Sequence, residues 1–387
     1  MILDAVLERF IYRLKNFSNH AEKSSKVYCS KLSNLARHPI NISTVLIAVS
    51  GATGFLGAHV VCTLIKQGLT VRAFRRSSSD LKEFEFIFKH YFGRNSDFRN
   101  EKLLHWAEAD VLDVPSLEEA LTGISSIFHC AAVVSFSSKD AAHMHRVNIQ
   151  GTANLVNCAI DKGIKTFCHT SSIAALGRKR SGDTLDENSQ WEDSKLNSQY
   201  AISKYRAEME VWRGKEEGLQ VVVVNPGVIL GVGDFRKGSL SLIEAGSKGM
   251  PFYTHGVNGY IDVEDLAQCM VRLTQEGHFG KRYVLVSESV ENRALFNELA
   301  RLFENKPPYI RVTPFLGEIA WRLYAIKRLF SNKGLPLTKE TARSAQTKSY
   351  YSNSRIISTL GVEFKPVKQT LKECAEAFSD FQKHFLS

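Results

Sequence analysis

The chain predicts a doubly wound parallel α/β sheet with a smaller, mostly helical C-terminal region. Three observations carry that prediction. Short apolar runs alternate with longer amphipathic ones from Thr44 onward, a glycine-rich turn follows the first run directly, and the alternation gives way beyond Gly231 to Gly-rich turns and helical pieces. The runs at 45–50, 70–74, 103–107, 126–130, 166–169 and 220–224 read as strands, and the stretches near 57–67, 115–122, 140–161 and 199–217 as the helices that join them. Six strands with helical crossovers make a doubly wound sheet. Residues 77–100, with Phe84, Phe86, Phe88, Phe92 and Phe98, interrupt this rhythm as an insertion after the second strand. Beyond it a helix at 239–248 and a strand near 282–286 are expected. The organisation is therefore an extension over 1–43, a nucleotide-binding domain over 44–235 to which 258–290 returns, and a substrate region of 236–257 and 291–387.

At 387 residues, 44% hydrophobic and 23% charged, the chain has ordinary globular composition, which excludes disordered, collagen-like and disulfide-stapled classes. The seven cysteines include no C-x-x-C pair, so neither a zinc site nor a disulfide framework is indicated; no metal is expected, and a reducing, cytoplasmic setting fits. The net charge of +10 is uneven: residues 1–44 hold seven Lys/Arg against three Asp/Glu, and 301–387 hold fifteen against seven. No stripe of cations interleaved with aromatics accompanies it, which argues against nucleic acid as a partner. No apolar run is long enough to span a bilayer. Leu3, Val6, Leu7, Phe10, Ile11 and Leu14 form a helical stripe too charged for a signal peptide. Such a stripe ordinarily packs on its own domain, and the same holds for a second one expected over 314–330, where Leu316, Ile319, Leu323 and Ile326 are apolar. The competing reading is peripheral membrane contact through the basic ends.

Gly51, Thr53, Gly54, Phe55, Leu56 and Gly57 form a loop between the first strand and a helix. Gly51 suits the tight turn, Gly54 lets backbone amides approach a pyrophosphate, and Gly57 lets the helix pack close to the sheet. The anion then sits on a helix N-terminus. At the end of the second strand stand Arg75 and Arg76, with Lys82 near in sequence and no carboxylate before Asp80, a pattern that prefers the 2′-phosphate of NADP(H) over NAD(H). Asp110, with Val111 beside it, follows the third strand where the adenine amino group would lie.

Tyr200 and Lys204 share one face of a helix at i, i+4 spacing. A phenol serves as proton donor at neutral pH if its phenolate is stabilised, and a nearby ammonium does this. The fifth strand ends in Thr170, Ser171 and Ser172, where a hydroxyl can orient a substrate carbonyl. Ser172 is the choice among the three.

In order along the chain stand G-A-T-G-F-L-G (51–57), C-A-A (130–132), N-I-Q-G-T (148–152), T-S-S (170–172), Y-A-I-S-K (200–204), N-P-G-V-I-L-G (225–231) and Y-I-D-V-E-D-L-A (260–267). This ordered set resembles the extended short-chain dehydrogenase/reductase superfamily over roughly 45–290. Within it V-R-A-F-R-R (71–76) is similar to the dihydroflavonol reductase and cinnamoyl reductase branch, where the arginine matching Arg76 contacts the NADP phosphate. P-P (307–308), Thr338, N-S-R-I (353–356) and L-G-V (360–362) resemble the 3β-hydroxysteroid dehydrogenase relatives. The resemblance implies a Rossmann fold and a catalytic set of Ser172, Tyr200 and Lys204. It also implies that Asn148 supports the active-site backbone, that Cys130, Ala131 and Ala132 line the cofactor, and that Asn225, Pro226, Gly227 and Val228 lie beside the nicotinamide. Two departures, Leu176 in place of an aromatic and I-L-G (229–231) in place of V-Y-G, weaken the sugar-nucleotide branch.

The expected activity is NADP(H)-dependent interconversion of a ketone or aldehyde with an alcohol. The substrate is expected to be a fairly apolar small molecule, from Phe235, Phe252 and Tyr253 in the second region. A sugar-nucleotide epimerase or dehydratase, and a regulatory protein that kept the fold but lost turnover, are the alternatives. The helices at 140–161 and 199–217 could pair two copies in a homodimer.

Overall fold

The computed structural model describes residues 45–177, 183–194, 197–327 and 339–386. The expected N-terminal stripe and the extension that carries it lie outside them, as does the end of the expected helix beyond Lys327.

Seven parallel strands form the central sheet: β1 (Leu46–Ser50), β2 (Thr70–Arg75), β3 (Leu104–Glu108), β4 (Ser126–His129), β5 (Thr166–Thr170), β6 (Gln220–Pro226) and β7 (Lys281–Leu285). Their spatial order is β7-β6-β5-β4-β1-β2-β3. The chain reverses direction of travel across the sheet at β1, whose Ser50 pairs with His129 of β4. That switch point opens a crevice at the carboxyl ends of β1 and β4. The seventh strand is the one expected near 282–286, and it joins the main sheet beside β6.

Alternation within the strands sorts side chains to two faces. Ile47, Val49, Val222 and Val224 pack under α1 (Phe55–Lys66) on one side, while Ala48, Val221 and Val223 pack under helices on the other. The Phe-rich stretch is not an insertion. It folds as α2 (Lys82–Phe92), the crossover between β2 and β3, and its Phe84 meets the Trp106 ring at 4.9 Å and that of Phe98 at 5.3 Å. The aromatic density that obscured its helical period in the sequence is its buried face. After α3 (Val114–Ala120), the single helix expected at 140–161 is composite: an α segment at Ala141–His145, a π turn at Arg146–Gln150 and α4 (Gly151–Asp161). The π turn is an irregularity of the kind often found beside functional sites. Next come α5 (Gln199–Glu216) and α6 (Val263–Gln275), the latter capped by Asp262, whose carboxylate accepts from Glu264 N and Asp265 N.

A smaller three-stranded sheet of Val228–Leu230, Val257–Asp262 and Glu288–Glu291 adjoins this frame. Phe235 packs against Phe378 and Phe381 of the C-terminal helix Val367–Leu386. The helix expected at 314–330 is present as Pro314–Lys327, but Phe315, Leu316 and Ile319 in its first turns face outward and Gly317 is buried, so this part of its apolar stripe does not pack on the core as expected, while the side chains of Leu323 and Ile326 lie outside the described residues. No described helix is long and apolar enough to cross a membrane.

Candidate active site

A cavity of about 2020 Å³ runs along the carboxyl ends of the strands, from the glycine loop to the segment around Tyr351. At one end Gly51 sits at φ 69°, where a Cβ would come within 2.6 Å of Ala131 N. A Cβ on Gly57 would lie 2.1 Å from the Gly51 carbonyl, so α1 starts against the loop only because both are glycine. Gly54 differs: a Cβ there would touch only the Gly51 carbonyl, at an ordinary 3.5 Å. Protein packing leaves that position open toward the cavity, as a pyrophosphate cradle requires. Gly54 is the N-cap of α1 with no side chain capping the helix and no acidic residue in its first turn. The positive end of the helix is thus left for an anion, and the loop fits a dinucleotide phosphate.

Thr53, Phe55, Leu56, Arg75, Arg76, Asp110, Val111, Cys130, Ala131 and Ala132 line the same end. Arg75 and Arg76 are exposed, and the Arg76 amide donates to Ser79 Oγ at 2.9 Å in the turn that follows β2. Lys82 does not join them; it is exposed at the start of α2, where its amide donates to Asp80 Oδ1. Asp110 Oδ1 accepts from the Leu112 amide at 2.9 Å, which fixes the carboxylate at the rim.

At the other end the three hydroxyls after β5 separate by role. Thr170 Oγ1 turns to the sulfur atoms of Cys130 and Met270, and Ser171 Oγ donates to Glu208 Oε2 at 2.6 Å. Ser172 Oγ accepts from the Ala174 amide at 3.1 Å and lies close enough to the Tyr200 phenol to act on its pKa. Tyr200 and Lys204 stand one turn apart on α5, and the buried Lys204 Nζ donates to the Thr170 carbonyl at 2.7 Å. Burial pushes the Tyr200 phenol above its ordinary range, and the Ser172 hydroxyl opposes that rise. The Lys204 ammonium, expected to stabilise the phenolate, is held at the strand end by the Thr170 carbonyl. Burial brings Lys204 itself down to about 8, with the Glu208 carboxylate acting in the opposite sense.

Asn148, on the π turn, accepts from Val133 N at 2.7 Å and donates to the Val133 carbonyl and to Ser203 Oγ, tying the loop after β4 to α5. Pro226, Gly227 and Val228 face the cavity but Asn225 does not. Fully buried, it donates to the Ser172 carbonyl and to Glu208 Oε2, both at 3.0 Å, so the contact expected of it with cofactor is replaced by support of the Ser172 backbone. Phe252 and Tyr253 line the cavity, whereas Phe235 is sealed in the C-terminal core. Two residues escaped the sequence reading. Phe136 lies edge-on to the Tyr200 ring at 5.6 Å. Glu208, fully buried, accepts from Ser171, Asn225, Trp212 and, at 3.4 Å, Arg282. Its signal was its place one turn after Lys204, in register with the buried positions Ala201 and Val211.

Set beside known proteins, residues 47–285 match the model of the NAD dependent epimerase/dehydratase family. A Synechocystis sp. protein provisionally named a dihydroflavonol 4-reductase is 30% identical over 344 residues, 87% of this chain and 94% of that one. Cinnamoyl-CoA reductase 1 of Petunia hybrida is 26% identical over 350 residues, 88% and 94% of the two chains. Among solved structures, that of gox2253 aligns with a TM-score of 0.71 at 27% identity, covering 87% of this chain and 98% of that one. UDP-glucose 4-epimerase from Thermotoga maritima, at 20% identity and a TM-score of 0.66 over 87% and 99% of the chains, shares the fold.

Proposed function

This chain belongs to the NAD dependent epimerase/dehydratase family, within the extended short-chain dehydrogenase/reductases, as an NAD(P)-dependent oxidoreductase, and on that premise we propose that it interconverts a ketone or aldehyde with an alcohol on an apolar small molecule, using NADP(H). The observation that carries this reading is that Ser172, Tyr200 and, a turn further along the helix, Lys204 converge on one cavity that Phe136, Phe252 and Tyr253 also wall. The reductase names of the relatives from Synechocystis and Petunia support it.

Tyr200 gives its proton to the carbonyl oxygen, and Ser172 donates a hydrogen bond to the same atom and fixes its direction. A bound nicotinamide supplies the hydride. Lys204 compensates the phenolate charge left after transfer, and Asn225 and Glu208 keep the Ser172 backbone in place behind it. The loop from Gly51 to Gly57 would hold the pyrophosphate, Asp110 the adenine amino group and Lys204 the nicotinamide ribose. Arg75 and Arg76 favour the 2′-phosphate because two guanidinium groups occupy the end of β2 where an acidic residue would select NAD(H).

The test is Tyr200→Phe, assayed by NADPH oxidation across a panel of carbonyl compounds together with NADPH binding by fluorescence. Turnover is expected to fall by about 10²- to 10⁴-fold with binding nearly intact. Turnover within tenfold of wild type would remove Tyr200 from the chemistry. Interconversion of UDP-sugars without net NADPH consumption would move the reading to epimerase.

A further inference from the structure

Among the described residues, thirteen large hydrophobic side chains are exposed, and six of them fall in two short stretches that pair with each other: Phe252, Tyr309, Ile310, Phe315, Leu316 and Ile319. Strand Ile310–Arg311 runs parallel to Phe252–Tyr253, and helix Pro314–Lys327 follows three residues later. Tyr309 is 71% exposed and Phe315 73%. The first turns of the helix are turned opposite to a water-facing one, with Gly317 buried and Phe315, Leu316 and Ile319 outside. Its one acidic residue, Glu318, is engaged by Trp321 Nε1 at 3.0 Å, by Arg322 and by Arg343. Clustered exposure of this kind marks an interaction surface, whereas scattered apolar residues would not.

Two further features select the partner. Phe252, Tyr253 and Val312 of the same stretches line the cavity, so the patch is continuous with its mouth. Lys306, Arg311 and Arg322 are exposed around it, within a C-terminal part whose Lys/Arg exceed Asp/Glu by fifteen to seven. From the apolar face, its cationic rim and the adjoining mouth, we infer that this surface docks on the anionic face of a lipid bilayer and opens the cavity toward it. A second copy of the chain fits worse. A two-fold contact places the same patch on both sides, bringing like cations together at its rim. An anionic lipid surface instead receives the aromatic and aliphatic side chains at headgroup depth and meets the rim with opposite charge.

The experiment is co-sedimentation of the full chain with phosphatidylcholine vesicles, with and without about 30% phosphatidylglycerol. Wild type is expected to pellet with the anionic vesicles and to release at high salt. Phe315→Ser, Leu316→Ser and Ile319→Ser combined should lower the partition coefficient at least about tenfold. Arg311→Gln with Arg322→Gln should weaken binding to anionic vesicles and leave the neutral ones unchanged. None of these side chains lines the cavity except through the backbone neighbours of Arg311, so NADPH binding serves as the check that each variant is folded. Equal pelleting of wild type and the triple variant, as would follow from anchoring by the N-terminal segment, would overturn the assignment. So would absence of wild-type pelleting, or a triple variant that changes only from dimer to monomer in sedimentation velocity. The readout requires no turnover, so failure of the proposed reductase chemistry is separately visible.

Discussion

Lys204→Met separates what the site needs from what the fold tolerates. Lys204 is 2% exposed, and burial lowers its ammonium from 10.5 to about 8. Below pH 8 the amine is protonated in both folded and unfolded chains, and the folded chain bears the full cost of a desolvated charge, about 3 kcal/mol for a difference of that size. Between pH 8 and 10.5 the unfolded chain binds more protons than the folded one, so this contribution to stability rises with pH and the cost fades. Methionine fills a similar volume without the charge, but it leaves the Thr170 carbonyl without its 2.7 Å donor, which costs about 1 kcal/mol at every pH. The cofactor-free variant should therefore be about 2 kcal/mol more stable than wild type at pH 7, with the advantage gone near pH 10. Urea denaturation of both proteins across that range measures it, and carbonyl turnover of the variant should be abolished. A stability difference that stays flat with pH would refute the reasoning, since it would mean that water reaches the ammonium in the folded chain.

Replacing Arg75 and Arg76 together by serine should raise KM for NADPH by about 10- to 100-fold and leave that for NADH nearly unchanged, because only the 2′-phosphate loses its partners; an unaltered preference in a cofactor titration would discard the phosphate assignment. Glu208→Gln should destabilise the protein by about 3 kcal/mol in urea denaturation. All four groups around that carboxylate are donors, and an amide NH₂ would face them. A loss under about 1 kcal/mol would show that the network relaxes without cost.

The six strands from 45 to 224 and the helices at 57–67 and 199–217 were legible because parallel strands buried on both faces are short continuous apolar runs and their crossover helices are long and amphipathic. The stretch at 77–100 was not, since phenylalanine on nearly alternate positions of α2 hides a helical period, and only the packing of Phe84 on Trp106 and Phe98 explains why so many rings stand there. A helix at 314–327 was expected, yet the exposure of Leu316 and Ile319 on it was not: an amphipathic stripe says which face is apolar and nothing about whether a core lies opposite it.

The glycine loop, the arginine pair and the Ser172, Tyr200 and Lys204 set were all nameable from the sequence, because each is a local spacing whose chemistry depends on the residue types themselves. That Thr170 and Ser171 turn to other partners, that Asn225 stands behind the wall, and that Glu208 gathers Ser171, Asn225, Trp212 and Arg282 were decided by tertiary structure. The Glu208 contacts join residues 4, 17, 37 and 74 positions apart, and hydrogen bonds act over ångströms of space, a distance that order along the chain does not encode.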